Sequence, residues 1–191
     1  MFVEYSKDIS KFCEVAKELG AADAKIINTS CIVVENRIRL KCQYGCPFYG
    51  HYLTCPPFSP SPEQTTKIIN EYNWALLFTV HFSSVTSKGV FEEGIHSIKD
   101  MTILQKIAAE LEKKIFLSGY PLAFAMTGGP CLLCSECILQ PGKCRHPETA
   151  RPAMESMGIN VAATIEKTGY KFKVYTSTSE IVTSYGLVLI T

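Results

Sequence analysis

Apolar and polar residues follow two rhythms along this chain, and together they predict an α/β fold. Ile9, Phe12, Cys13, Ala16 and Leu19 recur at helical spacing with Gly20 behind them, so a first helix is expected over residues 8–19. Residues 24–27, 31–35 and 37–40 read as short strands, with Glu35-Asn36 as the turn between the last two. The run 74–82 has the length and the β-branched and aromatic content of a buried strand. Ile98, Met101, Leu104, Ile107, Ala108, Leu111 and Ile115 form the most regular stripe, a long amphipathic helix closed by Gly119. Residues 121–126 read as a strand, 147–157 and 160–168 as two short helices, and 185–190 as a final strand. Strands interleaved with helices imply a mixed β-sheet flanked by helices. No repeat, linker or low-complexity stretch divides the chain, so a single domain over residues 1–191 is expected.

Two stretches break both rhythms. Seven of the nine cysteines fall in them: Cys42, Cys46 and Cys55 in the first, Cys131, Cys134, Cys137 and Cys144 in the second. The prolines gather there too, at Pro47, Pro56, Pro57, Pro60 and Pro62 and at Pro130, Pro141, Pro147 and Pro152. Proline fixes φ and removes a backbone donor, so both windows are expected to be irregular, rigid loops. Such loops let several thiolates converge while amide groups point at sulfur.

Composition narrows the chemistry these loops can serve. The formal charge is +1, from 19 basic and 18 acidic residues, which argues against nucleic acid as a partner held by bulk charge. A hydrophobic fraction of 47% excludes a disordered chain. No apolar run is long enough to cross a bilayer, so no membrane partner is expected. The first residues lack a basic segment followed by an apolar core, which makes a cytoplasmic location the expectation. An odd number of cysteines in such a chain indicates metal or redox chemistry rather than a disulfide framework.

In the second window Cys131, Cys134 and Cys137 are separated by two residues each, with Cys144 six residues further on. That triple run resembles the spacing that holds a 4Fe-4S cluster, because successive turns present thiolates to different corners of a cubane. The last interval is longer than usual, and Cys144 closes the set if Pro141-Gly142 folds the chain back. Zinc is the alternative, since four thiolates also make a closed tetrahedral site. Zinc ribbons supply their ligands as two separated pairs, so the triple run fits a cubane better. Gly128 and Gly129 permit close backbone approach, while Arg145 and Arg151 place positive charge nearby and are candidates to bind an anionic cofactor or ligand. Both arginines are equally readable as solvated surface or as partners of Glu148 and Glu155.

In the first window three cysteines can hold three corners of a second cubane, leaving one iron open or capped from elsewhere. Candidates for the fourth ligand are His51, Cys31, Cys13 or an external molecule. For Cys13 and Cys31 the default is a small core residue. Tyr44, Phe48, Tyr49, Tyr52 and Phe58 crowd this window, where they either shield a cluster, line a pocket or simply pack the loop.

Residues 46–60, the Cys131-Leu-Leu-Cys-Ser-Glu-Cys run and the stretch from Cys144 through Ala150-Arg-Pro-Ala-Met-Glu to Val161 resemble a family of small prokaryotic proteins described as predicted metal-binding proteins of unknown function. The resemblance covers nearly the whole chain. It implies that the seven window cysteines are metal ligands and that anaerobic archaea or bacteria are the setting, and it implies no reaction.

Three functions follow as expectations. The first is an iron-sulfur electron carrier with a redox partner protein, carrying one or two 4Fe-4S clusters. The second is a catalytic or small-molecule-binding protein with an open iron site, corrinoid or other tetrapyrrole chemistry being one conceivable client. The third is a structural zinc interaction module. Oligomeric state is open, a homodimer being one admissible assembly. No Ser-His-Asp set, phosphate loop or dinucleotide fingerprint is present.

Overall fold

The computed structural model describes residues 9–82, 98–140, 142–175 and 180–191. Their helices are α1 (Lys11–Glu18), α2 (Ile38–Gly45), α3 (Pro62–Ile69), α4 (Ile98–Leu117) and α5 (Val161–Lys167), and their strands are β1 (Asp23–Asn28), β2 (Trp74–Phe82), β3 (Phe124–Met126) and β4 (Val182–Leu189). The sheet order is β1-β2-β4-β3 with every neighbouring pair antiparallel. The α/β class is as expected, while the sheet is antiparallel where a mixed one was anticipated; one isolated parallel bridge, Thr127 to Ala153, lies outside the strands.

β2 explains the layering. Its side chains alternate between faces. Leu76, Phe78, Val80 and Phe82 pack with Phe12 and Ala16 of α1 and Leu104, Ala108, Leu111 and Ile115 of α4. Ala75 and Leu77 pack on the other face with Ile69 of α3, Ile165 of α5 and the Met154, Met157 and Ile159 segment. The sheet is thus buried on both sides, which is why β2 runs apolar without alternation from Trp74 to Phe78.

One close approach in the sheet is specific. Gly186 of β4 pairs with Phe78, and a Cβ on Gly186 would stand 2.2 Å from Phe78 Cζ. The fully buried ring therefore lies over bare backbone. Gly186→Ala is expected to destabilise the fold by about 2 kcal/mol or more, because a packed core resists added volume. Urea unfolding checks this: the midpoint falls while the m-value stays constant.

Several local expectations are corrected. Residues 37–40 are helical, not extended, because they open α2; that helix buries no residue, so it carries no apolar stripe to betray it. Residues 31–35 are not a ladder strand. Asn28 caps a short 3₁₀ turn, Thr29–Cys31, through a bond from the Ser30 N–H to its side chain. The following extended chain meets residues 158–160 only briefly, through the Val34 to Ile159 bridge and the Asn160 N–H on Val33 O.

Residues 147–157 are not a helix either. The N–H groups of Thr127 and Met154 bond Pro152 O and Thr127 O, holding Ala153 in a bridge beside the end of β3. A single turn forms at 147–149, with the Thr149 and Ala150 N–H groups on His146 O, and Glu155–Met157 turns as 3₁₀ until Gly158 stops it in the left-handed region at φ 81°. α3 was missed inside the proline-rich stretch, although Ser61 and Gln64 form a reciprocal capping box with Pro62 at the helix start. The predicted first helix is confirmed as α1, while its expected start at Asp8 lies outside the described residues.

Candidate metal centre

α2 delivers the first thiols. Cys42 lies within it and Cys46 immediately follows as its C-cap residue, so a four-residue helical interval brings both to one end of the same helix face. The chain then folds into consecutive tight turns, with Tyr49 N–H on Cys46 O, Cys55 N–H on Tyr52 O and Ser59 N–H on Cys55 O. Those turns return Cys55 to the other two. Burial pushes the Cys55 thiol up to about 12, with the neighbouring Cys46 and Cys42 charges acting in the same direction. Burial also raises Cys42, aided by Cys46 and Glu155 and opposed by Arg39.

The second window is carried on a braced loop whose two feet are tied to α4. At its entry, Gln105 Nε2 donates to Thr127 Oγ1 at 3.0 Å and to Arg151 O at 3.0 Å. At its exit, Arg151 N–H donates to Gln105 Oε1, and the Arg151 guanidinium grips Glu112 with Nε to Oε2 at 2.7 Å and Nη2 to Oε1 at 2.5 Å. Glu112 Oε2 also accepts from Ala125 N–H. Between these feet the loop turns at residues 140–143 through Lys143 N–H on Gln140 O, with Gly142 at φ 74°. Pro141, expected to help fold the chain back, lies outside the described residues.

Cys131, Cys134, Cys137 and Cys144 line one small, partly open cavity. Tyr52, Leu53 and Thr54 of the first window close one side of it, so the two windows share a wall. Backbone amides point at sulfur: Leu53 N–H meets Cys137 Sγ at 3.4 Å, and His146 N–H meets Cys144 Sγ at 3.4 Å. Cys131 is the buried member of the four. Burial pushes its thiol up to about 11, and the Cys144, Cys134 and Cys137 charges add to that. The Cys131 charge also raises the Cys55 thiol, so the buried thiols of the two windows lie within electrostatic reach of one another.

Thiols held so far above neutrality are protonated until a metal displaces the proton, so metal uptake releases protons here. All nine cysteines are free. Among the described residues no group of three or more His, Cys, Asp or Glu side chains converges tightly enough for a single metal ion.

Thus Cys131, Cys134, Cys137 and Cys144 are brought together, and Cys42, Cys46 and Cys55 form a neighbouring group. Arg145 and His146 stand at the cavity, where Arg145 Nη1 donates to Glu136 O across the loop. Arg151 is committed inward, to Glu112 and to the carbonyls of Pro147 and Ala150, so its donors brace the loop where an anion clamp was anticipated. His51 is exposed and its N–H donates to Phe48 O. Cys13 packs on the opposite face of the sheet, and Cys31 ends the 3₁₀ turn after β1. Of the aromatics, Tyr52 lines the cavity with Phe48 edge-on at 5.8 Å, while Tyr44 and Phe58 are exposed.

Sequence reasoning did not single out Glu155. It opens the 3₁₀ turn on which α2 packs, and its backbone O lies 3.9 Å from Cys42 Sγ. The turn is stapled to the first window by Arg39 Nη1 and Ser59 Oγ on Ser156 O and by Ser156 Oγ on Thr54 O. Nothing in the local sequence announces this, since the partners lie about a hundred residues away.

Residues 25–190 match the sequence profile of the family described as predicted metal-binding protein (DUF2284). The chain belongs to this family. No curated protein and no solved structure gives a significant match. Among the described residues no helix is long and apolar enough to cross a membrane.

Proposed function

We propose that this member of the predicted metal-binding family is an iron-sulfur protein, with a 4Fe-4S cluster on Cys131, Cys134, Cys137 and Cys144 and a second cluster on the Cys42, Cys46 and Cys55 site. The observation that carries the reading is the lining of one cavity by four cysteines, two of whose sulfurs receive backbone N–H groups. The run of three cysteines two residues apart resembles the spacing that holds a cubane, whereas zinc ribbons supply their ligands as two separated pairs. Amide groups aimed at sulfur favour the reduced, more negative cluster, and Arg145 at the mouth acts in the same sense.

A bound cluster supplies a one-electron site. The protein's part is to hold it behind Tyr52 and Leu53 with one side open, where a redox partner protein approaches. Residues of both windows line the same cavity, so two clusters held there would be neighbours.

Purification without oxygen, followed by metal and sulfide analysis and electron paramagnetic resonance, tests this. The expected result is a brown protein with roughly eight irons per chain, four for each cubane, and a reversible signal on reduction. A colourless protein with stoichiometric zinc overturns the proposal and makes the domain a structural zinc module.

A further inference from the structure

The three-cysteine site is one donor short, and the residues expected to complete it are placed elsewhere: His51 is exposed, Cys13 lies across the sheet and Cys31 ends a turn after β1. Glu155 is not elsewhere. Its turn packs against α2, the helix that carries Cys42, and three side-chain bonds hold that turn to the window. Its carboxylate Oε2 is shielded from solvent and has no hydrogen-bond partner. A buried acceptor without a donor is costly, and native folds retain one where a ligand or function answers it. We propose that the Glu155 carboxylate is the fourth donor of the Cys42, Cys46 and Cys55 metal site.

The rest of its surroundings agree. The backbone N–H groups of Glu155 and Gly129 bear on the carboxylate, and Lys41 lies within electrostatic reach of it. Lys41 is exposed, so solvent weakens its help. The same amide, Gly129, belongs to the entry of the four-cysteine loop, so Glu155 stands between the two windows. Oxygen is a harder donor than sulfur and binds thiophilic iron less tightly than a thiolate. The iron it caps is therefore the exchangeable corner, where a small anionic or oxygen-donor ligand can replace the carboxylate. This inference rests on metal being bound at the first window, as proposed above.

The test reconstitutes the full chain with ferrous iron and sulfide without oxygen, in the wild type and in Glu155→Ala, Glu155→Gln, Glu155→Cys and Cys42→Ser. The expected result is that Glu155→Ala and Glu155→Gln lose about one iron per chain on mild oxidation, with the signal of a three-iron cluster, while the four-cysteine signal is unchanged. Glu155→Cys is expected to hold that iron and to shift the spectrum of the site. Wild-type iron content and spectra in Glu155→Ala overturn the inference alone. If Cys42→Ser costs no metal relative to wild type, the first window binds none, and both this inference and the second cluster fall. Should Glu155→Ala not fold, Glu155→Cys decides: an iron-retaining, spectrally shifted site supports the role, and an unshifted site overturns it.

Discussion

Cys131→Ser is expected to halve the iron of the anaerobically prepared protein, from roughly eight to roughly four per chain, and to abolish the signal of one cluster. Cys131 is the buried thiol of its window and interacts with all three of its partners, so its loss removes a corner that water does not replace. A serine hydroxyl is a poor thiolate substitute for iron. The fold is expected to survive, because the sheet and its two apolar layers are built without this cavity. Far-ultraviolet circular dichroism with metal analysis on one sample checks both halves. Unchanged metal content removes Cys131 from the ligand set. Loss of fold together with loss of metal points to a structural site, in which metal binding supplies the folding energy.

Arg151→Met is expected to cost about 3–5 kcal/mol of stability. The pair with Glu112 is nearly buried, with the side chains 12% and 15% exposed. Removing one partner leaves a carboxylate in a low-dielectric setting, where the penalty of the unpaired charge exceeds what the pair itself contributed. The same guanidinium ties down Pro147 O and Ala150 O at the foot of the four-cysteine loop. Denaturant unfolding of the variant measures the cost. The double variant Glu112→Met with Arg151→Met discriminates the cause, since apolar replacement of both charges is expected to recover most of the loss. A single variant within about 0.5 kcal/mol of wild type would show that the pair is not buried in solution, as for an exposed surface bridge.

Legibility in the sequence followed burial. α4 and β2 were readable because each buries a long stripe or run, and the core enforces the period that local order displays. α2 was not, because none of its residues is buried and the alternation Arg37, Ile38, Arg39, Leu40 imitates a strand. The stretch 147–157 has the composition of a helix, yet pairing of Thr127 with Pro152 and Met154 holds Ala153 in a bridge. Tertiary hydrogen bonds there outweigh a weak intrinsic preference.

The order of amino acids alone determined the chemistry available to this protein: two groups of thiols set in proline-rich chain, in a family of predicted metal-binding proteins. Local spacing is covalent, so it is legible without a fold. Tertiary structure alone decided who meets whom. Leu53 N–H reaches Cys137 across 84 residues, Cys42 meets the Glu155 turn across 113, and Arg151 finds Glu112 across 39. These contacts form because the sheet brings distant segments together as it buries its two apolar faces, and no periodicity along the chain records them.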